Sequence, residues 1–138
     1  MTFLDTNVLV YAVDTADRGK HARALSIVEE ALDHPSDWRI SSHVLFEFSN
    51  VMLRKLRCPT ARLLAFLDQL SAIPCFAMTP AAVRRAAEIQ ALYGIQFFDA
   101  QVVAAAEAVG CDRILSEDLN DGQPYGSVAV ENPFAPKR

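Results

Sequence analysis

The chain has 138 residues, 51% of them hydrophobic and 22% charged, with a net charge of −4 at pH 7. That length suits one domain, residues 1–138, with a core large enough to need no staples, and the composition excludes a disordered or low-complexity protein. The acidic balance speaks against a polyanionic partner unless some of the acids are ligands, since a pair of bound Mg²⁺ ions would cancel it.

Residues 2–4 form a short apolar run that stops on Asp5 and read as a buried strand. Residues 7–14 read as a helix, followed by a polar turn to Gly19. Residues 21–32 read as a second helix, with Ala22, Leu25, Val28 or Glu29, and Leu32 at helical spacing. The segment 34–37 breaks it, and 38–41 is a second strand. Ser42 reads as the N-cap of a helix over 43–56, and Thr60 as the cap of the next, 61–70. Residues 73–78 read as a third strand, which Pro74 confines to a sheet edge or a strand start. Thr79-Pro80 is a cap with proline at the first helical position, opening a helix over 81–92 that Gly94 stops. An alanine-rich helix covers 97–109, a fourth strand 113–116, a polar loop 117–122 and a fifth strand 127–130, leaving a loose tail at 136–138. Strands alternating with helices predict an α/β fold: a central parallel sheet of about five short strands, covered on both faces, with right-handed crossovers.

Four acids stand at strand-to-helix handovers or in a helix that starts at one: Asp5, Glu47, Asp99 and Asp118. In a parallel sheet those handovers share the carboxyl edge, where open α/β folds bind ligands. Each acid has a plainer reading. Asp5 is placed to cap a helix, a job that Asn7 also suits. Glu47 shares a face with Val44 and Val51, against which a charge is costly unless paired, for instance with Arg54 or Lys55. Asp99 follows two aromatics, Phe97 and Phe98, which place it near buried surface, and it also suits the helix dipole. Asp118 competes with Glu117 and Asp121 for the same position. Together the four demand either protons or a cation, because like charges ~4 Å apart repel by about 4 kcal/mol at an effective dielectric near 20. Oxygen-only ligands favour Mg²⁺ or Mn²⁺ over Zn²⁺.

Other classes fit less well. Cys58, Cys75 and Cys111 show no CxxC or Cys/His spacing and read as reduced core thiols of a cytoplasmic protein. The first basic residue is Arg18, so no secretory leader is expected, and no apolar run approaches the ~18–20 residues of a membrane span. His21, His34 and His43 read as surface or packing residues, with no Ser/His/Asp set for nucleophilic catalysis. A haloacid-dehalogenase-like phosphatase needs Asp-x-Asp after the first strand, where Asn7 stands here. A receiver-like phosphoryl-transfer domain needs paired acids there and a late lysine. A non-catalytic binding module is the remaining alternative, disfavoured by the four retained acids.

The segments Phe3-Leu4-Asp5-Thr6-Asn7, Leu45-Phe46-Glu47-Phe48, Phe98-Asp99-Ala100 and Ile114-Leu115-Ser116-Glu117-Asp118 resemble, in order and spacing, the PIN-domain nucleases, and within them the VapC-type toxins of bacterial toxin–antitoxin pairs. The resemblance covers the whole chain. It implies a Rossmann-like, three-layer fold and a metal-dependent endoribonuclease with Asp5, Glu47, Asp99 and Asp118 as the Mg²⁺-binding acids and Asn7 and Ser116 as supporting polar groups. Ser116 stands where threonine is commoner, and Phe98 where tryptophan or tyrosine is. The resemblance also implies an RNA substrate, a homodimer and an antitoxin that covers the acidic pocket. Candidate phosphate contacts are Arg18, Lys20 and Arg23, with a second basic run at Arg54, Lys55, Arg57 and Arg62. Phe46, Leu53, Leu63, Leu64, Phe66 and Leu67 are candidates for core or for a contact patch.

Overall fold

The computed structural model describes residues 1–136. The loose tail expected at 136–138 therefore lies outside the described residues, apart from Pro136. Six strands form one sheet in the order β3-β2-β1-β4-β6-β5, namely β1 (Thr2–Leu4), β2 (Trp38–Ser41), β3 (Cys75–Phe76), β4 (Arg113–Leu115), β5 (Pro124–Tyr125) and β6 (Val128–Glu131). All neighbours pair in parallel except β5, which runs antiparallel to β6. The helices are α1 (Thr6–Tyr11), α2 (Arg18–Asp33), α3 (Ser42–Arg54), α4 (Thr60–Leu70), α5 (Pro80–Tyr93) and α6 (Phe97–Ala108).

This order creates one topological switch. The chain steps outward from β1 through β2 to β3, then returns to place β4 on the other side of β1. Right-handed crossovers put α1–α4 on one face of the sheet and α5–α6 on the other. A crevice opens where the two directions diverge, at the carboxyl ends of β1 and β4. Leu4 pairs with Leu115 there, and the Asp5 amide continues the ladder to the Leu115 carbonyl at 3.1 Å.

The core is apolar from both sides of the sheet. Phe3, Leu4, Ile40, Ile114 and Leu115 supply the strands, and Leu9, Phe48, Met52 and Ile89 the helices, all buried. Residues 100–106 of α6 are buried throughout, which accounts for the alanines: small side chains let this helix lie close against β2, β4 and β6. Gly94 closes α5 at φ 67°, in the left-handed region that suits a residue without Cβ.

Several local expectations change. The 73–78 strand shrinks to Cys75–Phe76, because Pro74 has no N–H and offers only its carbonyl, which accepts from Ile40 at 3.1 Å. The extra strand β5 spans two residues, Pro124 and Tyr125, just before Gly126, too short to show periodicity. Ser41, not Ser42, caps α3, its hydroxyl accepting from the Val44 amide, while the Ser42 hydroxyl accepts from the Met78 amide. Pro59 occupies the cap of α4, and Thr60 is the first residue of the helix. Helix α2 starts earlier than expected because Asp17 caps it, and it buries Ala24, Ile27, Val28 and Ala31 while Ala22 and Leu25 face out. Only Cys111 is a core thiol; Cys58 is half-buried and Cys75 exposed. Of the apolar candidates, Leu63 joins the core, Phe66 and Leu67 are half-buried, and Phe46, Leu53 and Leu64 are exposed. No helix among the described residues is long and apolar enough to cross a membrane.

Candidate active site

The first acid does two jobs at once. Asp5 follows β1 directly and is buried. Its Oδ1 accepts the Thr6 amide at 2.7 Å, so it is the N-cap of α1. Its Oδ2 accepts the Ser116 hydroxyl at 2.7 Å and the Asn7 amide at 3.4 Å. Ser116 leaves β4 fully buried, and its Oγ in turn accepts the Asp118 backbone amide at 3.1 Å. Asn7 completes the knot: Nδ2 lies 3.3 Å from Ser116 Oγ and 3.1 Å from Asp118 Oδ2, and Oδ1 accepts the Glu117 amide at 3.3 Å. The ends of β1 and β4 are thereby tied together by the side chains of Asp5, Asn7 and Ser116.

The electrostatics are those of crowded carboxylates. Burial pushes the Asp5 carboxyl up from 3.8 to about 7; the Ser116 and Thr6 hydrogen bonds pull the other way, and Asp118 and Glu47 add repulsion. The Asp99 carboxyl is raised by burial first and then by the same two neighbours, Asp118 and Glu47. Asp5 and Asp99 therefore both lie within the field of Asp118 and Glu47.

Glu47 pairs with neither Arg54 nor Lys55. Its Oε1 meets Nε2 of His43, one turn earlier on α3, at 2.5 Å. The His43 ring lies flat on Phe98 of α6, centroids 5.7 Å apart and planes at 10°. His43 is thus not a bystander, and its i−4 spacing from Glu47 is the sequence signal for it. Phe97 and Phe98 are exposed rather than buried, and Asp99 behind them is half-buried. Among the competitors at the β4 exit, Glu117 is occupied by the Tyr11 hydroxyl at 2.6 Å and Lys20 Nζ at 2.9 Å, and Asp121 accepts the Asn132 amide. Asp118 is left as the exposed carboxylate facing Asn7.

A cleft of about 270 Å³ is lined by Thr6, Asn7, Asp14, Glu47, Lys55, Glu117 and Asp118 among others. Asp14 is an addition to the residues expected at the site, Lys55 comes from the second basic run, and Asp5 and Asp99 lie outside this lining. Of the cations proposed near the first loop, Arg18 and Arg23 are exposed and outside the cleft lining. Lys20 is not a free cation: Glu117 and Tyr11 hold its ammonium, raising it to about 12.

The donors are of the right kind for a hard divalent ion. All four acids offer oxygen, and Asp5 is held at the edge of ionisation by burial, a state that a nearby cation would relieve. Among the described residues no three His, Cys, Asp or Glu side chains stand close enough together to hold a metal ion as placed. The arrangement is an open field rather than a cage. Mg²⁺ tolerates that, since it keeps several waters and takes one or two carboxylates.

Solved structures of similar fold include a Mycobacterium tuberculosis VapC20, described as a sarcin–ricin loop cleaving toxin, at 20% identity and TM-score 0.68, covering 86% of this chain and 92% of that one. A toxin–antitoxin complex from Klebsiella pneumoniae aligns at 18% identity and TM-score 0.68, covering 96% and 98%. DNA-bound VapBC from Salmonella typhimurium aligns at 18% identity and TM-score 0.69, covering 96% and 97%. A search of curated proteins returns no match. The PIN domain family model matches residues 2–120, which takes in β1, β4 and all four acids, and on that match the chain belongs to the PIN domain family.

Proposed function

We propose that this protein is a metal-dependent endoribonuclease and the toxin of a toxin–antitoxin pair. The observation that carries the reading is Asp5: a buried carboxylate, tied to Ser116 and Thr6, raised to about 7 and crowded by Asp118 and Glu47 at the switch point of the sheet. Membership of the PIN family and the toxin descriptions of the VapC20 and Klebsiella neighbours support the rest.

Asp5, Glu47, Asp99 and Asp118 are the residues that would hold Mg²⁺ or Mn²⁺. When bound, the ion supplies Lewis acidity and a water of lowered pKa for phosphodiester hydrolysis. The chain's own work is positional. Ser116 and Asn7 keep the Asp5 oxygens aimed and make the charged form tolerable. Lys55 in the cleft wall, with Arg57 and Arg62 lining the neighbouring cleft that shares Asp14, forms the cationic path for RNA phosphates. The exposed Phe46, Leu53 and Leu64 support protein contacts, with a second copy and an antitoxin as the partners.

Cleavage of RNA by the purified chain in Mg²⁺, abolished by excess EDTA and by Asp5→Asn with the fold retained, is the expected outcome. Full activity in either condition overturns the proposal. Sequencing the 5′ ends of RNAs cut after induction identifies the substrate.

A further inference from the structure

Glu47 is only half-shielded, with its side chain 38% exposed, and a glutamate in that setting samples several rotamers. Something must hold it if it is to face Asp5 and Asp99 in one geometry. We infer that His43, clamped by Phe98, is a positioning residue for Glu47. The inference rests on the nuclease reading above and extends it to residues outside the four acids.

The geometry has three parts. His43 and Glu47 stand one turn apart on α3, and the ring nitrogen Nε2 meets the carboxylate at 2.5 Å. An ionised carboxylate only accepts, so Nε2 carries the proton and donates. The imidazole is itself fixed by the parallel stack on Phe98, whose edge packs against Phe97 at 6.1 Å and 65°. Phe98 immediately precedes Asp99. The stack therefore joins the helix that carries one acid to the helix that carries another. Phe98 is 55% exposed, and its aromatic neighbours are His43 and Phe97. A strut between α3 and α6 accounts for an aromatic left so open to water; core packing does not. Such second partners of ligating groups commonly set metal affinity by about 10–100-fold.

The test uses the full chain and Mn²⁺, read by the electron paramagnetic resonance signal of the free ion, alongside RNA cleavage kinetics. His43→Ala and Phe98→Ala are each expected to weaken Mn²⁺ binding by about 10–100-fold and to lower kcat with KM for RNA little changed. The double variant is expected to be no worse than the poorer single one, because both changes remove the same strut. His43→Gln keeps a donor at similar reach and is expected to recover most of the affinity. In the metal-free protein the His43 ring protons are expected to lose their Phe98 ring-current shift in Phe98→Ala. Phe98 is exposed, so that variant carries the test even where His43→Ala unfolds. Wild-type Mn²⁺ affinity in both single variants overturns the inference, as do additive losses or failure of His43→Gln to improve on His43→Ala. Phe98→Ala that raises KM and leaves Mn²⁺ affinity intact also overturns it, and assigns Phe98 to RNA instead. A wild-type chain that neither binds Mn²⁺ nor cuts RNA removes the nuclease reading itself, and this inference with it.

Discussion

Replacing Asp5 by asparagine is expected to make the metal-free protein more stable above neutral pH while destroying its activity. The unfolded chain releases the Asp5 proton near 3.8, and the folded chain near 7. Between those values the fold holds a proton that the unfolded state has released. Stability therefore falls as pH rises through this window, by about 1.4 kcal/mol per pH unit, and levels off above 7. The whole penalty is about 4 kcal/mol. Asparagine carries no charge at any pH and escapes it. The variant gives up something in exchange, because its amide nitrogen replaces the Oδ2 that accepts the Ser116 hydroxyl at 2.7 Å. That cost is about 1–3 kcal/mol, leaving a net gain of about 1–3 kcal/mol at pH 8 and a net loss of about 1–3 kcal/mol at pH 4. Urea denaturation of both proteins between pH 4 and 8.5, in EDTA and in Mg²⁺, is the assay. Mg²⁺ at a hundred times its dissociation constant restores about 2.7 kcal/mol to the wild type and nothing to the variant. Parallel pH profiles for the two proteins, or equal stabilisation by Mg²⁺, refute the reasoning.

Ser116→Ala removes a buried donor to a carboxylate and is expected to cost about 1.5–3 kcal/mol at pH 8, with a fall in RNA cleavage; unchanged urea midpoints contradict this. Lys20→Gln is expected to leave KM for RNA unchanged, since Glu117 already holds that ammonium, whereas Lys55→Gln with Arg57→Gln raises KM at constant kcat. The salt dependence of single-stranded RNA binding should fall by about 0.7 in log–log slope for each phosphate that is no longer neutralised, and an equal effect from Lys20→Gln contradicts the assignment. Gly94→Ala meets no atom within 4 Å but must hold φ 67°, so it is expected to cost about 1 kcal/mol through the backbone alone, measured by the same urea titration.

Local chemistry made part of this molecule readable in advance. The apolar pair Phe3-Leu4 ending at Asp5, and Ile114-Leu115 ending at Ser116, announce strands that stop at a polar edge, and parallel pairing puts the two stops side by side. The Thr79-Pro80 opening and the Gly94 stop are likewise written in residue types that suit one backbone position. What escaped depended on partners distant in sequence. Lys20 looks like a free cation until the fold brings Glu117 to it, and His43 looks idle until α6 delivers Phe98. Helix α2 carries two apolar stripes, Ala22/Leu25 and Ala24/Ile27/Val28/Ala31, and the packing of α1 against α2 selects the second. Strand β5 has too few residues for any periodicity, and its place is set by pairing with β6.

The crowded carboxylates at the ends of β1 and β4 gather, on this reading, to take a divalent ion. Anomalous diffraction from crystals of this chain soaked in Mn²⁺ tests that most directly. The expected result is a Mn²⁺ peak bounded by Asp5, Glu47, Asp99 and Asp118, absent from Asp99→Asn crystals. Saturating Mn²⁺ that leaves these four acids without an ion, or binds elsewhere on the surface, contradicts it.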